Sequence, residues 1–289
     1  MRTSPLLIGA LLAGALALPT TASAASTPTC FGGNGGQFFA YTKVGTAKPE
    51  VLVGTPGRDV IYAGGGDDVI YGLGGDDILC GAGGADVIVG GEGRDEMDGA
   101  DDPASLRSEA GQRTDDRADR LYGGPGNDNA TGLDGDDWVE GGDGNDDIGG
   151  GRGRDVVLGG LGNDAVLGSG VVIENEPDLV YGGPGDDYVT SAGGGGDWLF
   201  GGDGNDHLQG ALGDDDLHGG DGNDKLGVPW IDSEEGDDRL HGGDGDDQLD
   251  GGTGSDRADG DDGSDACVNA ETVFDCELDA LGALSAGLR

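Results

Sequence analysis

GTPGRDVIY, AGGGDDVIY, GLGGDDILC, GAGGADVIV and GGEGRDEMD, residues 54–98, are five versions of one nine-residue phrase. Asp stands at position 6 of each, and an apolar residue at position 8. Continued toward the C-terminus, the register runs through 21 units, to Val268. Position 6 is Asp in all 21, from Asp59 to Asp265, and position 8 is Ile, Leu, Val or Met in 18, the exceptions being Ala130, Ala258 and Cys267. An earlier unit, GTAKPEVLV at 45–53, keeps Leu52 but has Glu50 in place of Asp, and reads as a degenerate first turn.

Without that period the composition would describe a disordered chain. Among 289 residues there are 67 Gly, 10 Pro and only 5 % aromatics, and 58 acids against 15 Lys and Arg leave a net charge of −43. The period turns the glycines into turn residues held in phase. Each unit is too short to bury a face alone, so units must stack on their neighbours. The negative charge argues against nucleic acid as a partner, because a phosphate backbone would be repelled. It also argues against an ordinary enzyme with one large packed core.

Each position has a physical task. Gly at 1, 2 and 4 permits a tight turn and leaves backbone carbonyls open. Asp at 6 adds a hard anionic oxygen. Carbonyls with carboxylates suit Ca²⁺, whereas Mg²⁺ prefers to keep its water. Positions 7–9 are expected to form a three-residue strand with period two, so that position 8 alone points inward and its column becomes a thin continuous core.

These units resemble the GGxGxDxUx nonapeptide of RTX, or haemolysin-type calcium-binding, proteins. The best copies are GGDGNDHLQ at 201–209, GGDGNDKLG at 219–227 and GGDGDDQLD at 242–250. The resemblance covers about 54–268 and implies an all-β fold, a right-handed parallel β-roll (solenoid) with two nonapeptides per turn and several calcium ions between stacked loops on both edges. Family members often carry a toxin, protease or lipase domain and a C-terminal export signal. This chain departs from them in having an N-terminal signal and no room for such a domain. The expected organisation is a signal peptide at 1–24, a cap segment at 25–53, the roll at 54–268 and a C-terminal cap and tail at 269–289.

The signal rests on Arg2, an apolar run from Leu6 to Leu18 and the small-residue site Ala22-Ser23-Ala24. That run is too short to span a bilayer, which takes roughly 20 residues. Export fits the four cysteines, Cys30, Cys80, Cys267 and Cys276, one pair near each end of the mature chain. Pairing Cys30 with Cys80 and Cys267 with Cys276 would staple both ends, although the sequence alone does not fix the connectivity. The expectation is a secreted, extracellular monomer with no membrane span.

The register is interrupted at 99–113, 168–172, Ser191 and 228–232. Counting units from Gly54, the four insertions precede units 6, 12, 14 and 18. All are even, so in a two-unit turn all should leave from one edge. The loops entering odd units are uninterrupted, which makes Asp128, Asp146, Asp164, Asp187, Asp206, Asp224 and Asp247 the first calcium candidates. Asp59, Asp68, Asp77, Asp86, Asp95, Asp137, Asp155, Asp197, Asp215, Asp256 and Asp265 complete the set. The units at 114, 173 and 233 have lost glycines, so Asp119, Asp178 and Asp238 are left out.

Parity also sorts the outward positions, 7 and 9. Odd units offer mostly polar residues there from Asn129 onward. Even units offer an apolar and aromatic ladder that includes Tyr122, Trp138, Tyr181, Trp198 and Phe200. Such a patch marks a binding surface unless an inserted loop or the segment 31–44 folds over it. Catalytic motifs are absent from the sequence: there is no H-E-x-x-H, no G-x-S-x-G and no EF-hand loop. His207, His218 and His241 fall at strand positions, and His218 and His241, with Asp216 and Arg239, read as a solvated face. The sequence therefore points to a secreted calcium-binding repeat protein, not an enzyme, whose folding is coupled to Ca²⁺ and whose role is structural or adhesive. The alternative is a carbohydrate- or cell-surface-binding module that uses the aromatic ladder.

Overall fold

The computed structural model describes residues 41–100, 117–169, 175–227 and 236–276. The expected signal at 1–24, Cys30, the segment 31–40, most of the insertions, and the tail beyond residue 276 lie outside the described residues.

The chain is all-β. Two 12-stranded parallel sheets alternate strand by strand along the sequence, so that consecutive strands always belong to opposite sheets. One sheet starts at Lys43–Val44 and ends at Ala266–Val268; the other starts at Val51–Val53 and ends at Thr272–Phe274. Where no insertion intervenes, pairing within the repeats joins each residue to the one 18 positions on, as in Trp138 with Val156 and Ile148 with Val166. Two nonapeptides therefore make one turn. Odd units build one sheet and even units the other. The degenerate unit at 45–53 contributes a strand whose Leu52 pairs with Ile70, so the roll begins before Gly54. It also continues past Val268, where Val273 pairs with Ala258.

Position 8 forms the core, as its apolar character demands. Ile61, Ile70, Leu79, Ile88, Met97, Leu121 and their counterparts up to Leu249 and Ala258 are buried in one cluster between the sheets. Leu52 and Cys267 pack against its two ends. Each fully buried Leu or Ile contributes about 1.5–3 kcal/mol, and a column one residue wide has no second layer to share the load.

The strands are longer than the three residues expected. Half of those described run six, as in Val156–Leu161, which spans positions 7–9 of one unit and 1–3 of the next. The glycines at 1 and 2 stay in the ladder because the loops are paired from turn to turn as well. Gly144 N donates to Leu161 O at 2.7 Å and Ile78 N to Asp59 O at 3.0 Å. The true reversal is confined to positions 4–6. There Gly144 adopts φ +148°, and a β-carbon on it would collide with the carbonyl of Gly126 one turn below. Position 2 is less strict: Leu73 and Leu133 occupy it at φ +85° and +83°.

All four insertions lie between a strand of the odd sheet and the next strand of the even sheet, so they share one edge. The stacking closes over each of them: Val87 pairs with Arg120 and Val156 with Leu179. At the C-terminal end Cys267 and Cys276 form a disulfide with Cα atoms 5.9 Å apart. Cys80 is disulfide-bonded as well, while its expected partner Cys30 lies outside the described residues. Cys80 occupies an outward strand position but is buried, together with Val60 and Ile78 on the same face. No helix among the described residues is long and apolar enough to cross a membrane.

Candidate metal sites along the two edges

The loops stack one above another along each edge, and this carries every position-6 aspartate into the interior. All of the candidates, from Asp59 to Asp265, are buried, and so are Asp119, Asp178 and Asp238. One carboxylate oxygen of each has a fixed partner. Asp77 Oδ1 accepts from the backbone N–H of Asp59 at 2.7 Å, Asp86 from Asp68 at 2.7 Å and Asp164 from Asp146 at 2.9 Å. The ladder passes the insertions unbroken, with the sequence separation rising from 18 to 33 at Asp86–Asp119, to 23 at Asp155–Asp178 and to 19 at Asp178–Asp197. At the ends glutamates substitute. Glu50 N donates to Asp68 Oδ1, and Glu271 Oε2 accepts from Asp256 N at 2.8 Å. Glu271 was not a sequence candidate, because it falls after the nine-residue register has ended.

The other oxygen is different. Oδ2 of Asp68, Asp77, Asp95, Asp128, Asp146, Asp164, Asp187, Asp206, Asp224, Asp247 and Asp256 is buried with no hydrogen-bond donor among the described residues. A buried ionised oxygen without a donor is costly, and a row of them calls for positive charge. The glycine at position 1 leaves open the space beside it. A β-carbon on Gly182 would come within 2.5 Å of Asp187 Oδ2 and 2.8 Å of the Gly201 carbonyl of the next turn. The donor set is therefore a carboxylate oxygen and backbone carbonyls, all hard oxygen ligands of the kind Ca²⁺ takes.

The electrostatics agree. Burial, and then neighbouring aspartates, push the carboxyls of Asp77, Asp146, Asp187 and Asp224 up to about 6 and those of Asp128 and Asp206 to about 7. Asp119, whose unit lacks the first glycines, goes to about 8 for the same causes. At the N-terminal end burial is outweighed at Asp59 by hydrogen bonds from Thr55 and Thr42 and by the charge of Lys43, and its carboxyl is lowered. Asp178 also stands apart, because Oγ of the inserted Ser191 lies 3.5 Å from its Oδ2.

A second ladder escaped the sequence. At position 5 of the uninterrupted edge, Asn145 N donates to Asn127 Oδ1 at 3.2 Å, Asn205 N to Asp186 Oδ1 at 2.9 Å and Asp246 N to Asn223 Oδ1 at 2.8 Å. It runs opposite to the position-6 ladder, each side chain accepting from the following turn. The preference for Asn or Asp at position 5 was its signal.

On the outer face of the even sheet, Trp138 pairs with Arg120 and Val156, and Trp198 with Leu179 and Asp216. Trp138, Tyr181 and Trp198 are exposed, 37–46 % of each being open, whereas Tyr122 and Phe200 are half-buried. Three rings of the ladder are thus open, and the insertions and the segment 31–40 that could cover it lie largely outside the described residues. Its rings also stack along the rod, Tyr181 on Phe200 at 4.5 Å, Phe200 on His218 at 4.8 Å and His218 on His241 at 4.8 Å.

A family model of the RTX calcium-binding nonapeptide repeat matches residues 44–79, 76–102, 113–148, 141–170, 175–194, 191–226 and 232–266. No curated protein matches the chain.

Proposed function

The chain belongs to the RTX calcium-binding nonapeptide-repeat family, and from that premise we propose that it is a secreted protein whose folding is coupled to Ca²⁺ and whose role outside the cell is structural or adhesive. The observation that carries this is the row of buried, donorless Oδ2 oxygens beside open carbonyls along both edges. Asp128, Asp146, Asp164, Asp187, Asp206, Asp224 and Asp247, on the uninterrupted edge, are assigned as principal ligands with the position-1 glycine carbonyls. Asp68, Asp77, Asp95 and the remaining candidates act in the same way on their own loops, except Asp59, whose Oδ2 accepts from Thr55 N. Calcium supplies positive charge to these oxygens. The chain's own part is to hold Oδ1 on the backbone of the neighbouring turn, so that in the stacked loops Oδ2 is the oxygen turned to the ion.

Equilibrium dialysis with radioactive calcium tests the assignment. Several ions should bind per chain, and the triple variant Asp146→Asn, Asp164→Asn, Asp187→Asn should bind fewer. Unchanged stoichiometry in that variant would overturn the ligand assignment. Extracellular calcium modules have Kd on the order of 10⁻⁴–10⁻³ M, a range in which external calcium fills the sites.

A second reading, a carbohydrate- or cell-surface-binding module, is favoured by the exposed Trp138, Tyr181 and Trp198 on one sheet. Aromatic faces spaced along a rod suit an extended glycan. In a cell-wall pull-down, the double variant Trp138→Ala, Trp198→Ala should lose at least about tenfold in retention, equivalent to about 1.4 kcal/mol, while its calcium-dependent fold is unchanged. Equal retention of variant and parent would refute this reading.

A further inference from the structure

We propose that His241, Asp259 and Asp261 form a transition-metal site, of the kind that takes Zn²⁺, on the outer face of the even sheet near its C-terminal end. It is separate from the calcium edges. It uses outward side chains and no loop carbonyl, so it depends on the roll and not on which aspartates hold calcium.

The register brings the three together. His241 pairs across the strands with Asp259, and Gly243 with Asp261. Residues 259 and 261 are two apart on one strand, so their side chains share a face. Their ligand atoms and that of His241 all lie within 4.8 Å of one another, with His241 Nδ1 and Asp261 Oδ2 3.8 Å apart. Small side-chain rotations, chiefly of the exposed Asp261, close such a triangle around an ion held at about 2.0–2.2 Å.

Three further observations favour a metal over a solvated cluster. Asp259 is tied through Oδ2 to Arg257 Nη2 at 3.5 Å, while its Oδ1 is buried and has no donor among the described residues. The His241 ring is held flat against His218, and His218 Nε2 is in turn anchored 3.0 Å from Asp216 Oδ1. The stack limits rotation of the His241 ring. Finally, Asp261 occupies position 2 at φ +62°, where most turns have a glycine and hence no side chain. An imidazole with two carboxylates selects Zn²⁺ or its transition-metal neighbours over Ca²⁺, which takes oxygen alone.

The test is a Zn²⁺ titration of the full chain by calorimetry in saturating calcium, so that the edge sites are filled. One Zn²⁺ per chain is expected. His241→Ala and Asp261→Gly should each weaken it at least about tenfold, the lower end of what losing even an orienting partner costs. Asp261→Gly restores the residue other turns carry, so its circular dichroism should match the parent and rule out misfolding. His207→Ala, on the opposite sheet, should leave binding unchanged. Zn²⁺ binding of equal affinity in His241→Ala or Asp261→Gly, or only weak uptake of many ions, would overturn the proposal.

Discussion

Chelating calcium with EGTA should convert the roll into an expanded chain, seen as loss of the β-sheet circular-dichroism signal and a marked rise in hydrodynamic radius. The position-6 carboxylates lie in columns repeating at the strand spacing of about 4.8 Å. Two unit charges at that distance repel by about 3–4 kcal/mol at an effective dielectric of about 20. A domain of ordinary stability has about 5–15 kcal/mol in hand, so a few ionised neighbours exceed it. The core that opposes them is thin, one column of residues from each sheet. Calcium reverses the balance, because each site filled to 100 times its Kd adds about 2.7 kcal/mol and many sites act together. Binding energy is then folding energy. Mg²⁺ at equal concentration should not restore the signal, since it gives up its water reluctantly. A β spectrum that survives EGTA would contradict the coupling.

Acid should do part of what calcium does. An ordinary aspartate titrates at 3.8, whereas Asp77, Asp128, Asp146, Asp187, Asp206, Asp224 and Asp238 are raised to about 6 or 7 in the folded roll and Asp119 to about 8, chiefly by burial. Between those values the folded chain holds protons that the unfolded chain has released, so stability falls as pH rises. The contribution is whole below the unfolded value of 3.8 and lost as pH climbs through 6 to 8. The metal-free chain should therefore show more β signal at about pH 5 than at about pH 8. Protons and calcium compete for the same oxygens, so the calcium midpoint should move to lower concentration as pH rises. A metal-free spectrum that gains structure on going from acid to alkaline pH would contradict this account of the ladder.

Most of the roll was legible because a solenoid makes sequence distance and spatial distance nearly the same thing. With neighbours at a fixed offset of 18, the apolar column, the aspartate columns and the common edge of the insertions all follow from counting. Leu199 had to be inside and Trp198 outside once the register was known. Counting fails where the period does. Glu271 takes an aspartate's place only 15 residues after Asp256, and the strand Thr272–Phe274 is formed by residues with no repeat pattern.

The nine-residue register, the two sheets, the common edge of the insertions and the inward column at position 8 were legible in the sequence, because each of these follows from the repeat; the burial of every position-6 aspartate was not. Folding in three dimensions settled that many strands run on through positions 1–3, that Trp138, Tyr181 and Trp198 lie exposed, and that carboxylates such as Asp77 and Asp164 turn Oδ1 to the backbone while Oδ2 is buried without a donor among the described residues. It alone set His241 beside Asp259 and Asp261. These outcomes depend on side-chain direction and on which groups meet across turns, and a linear period specifies neighbours without specifying what they do on meeting.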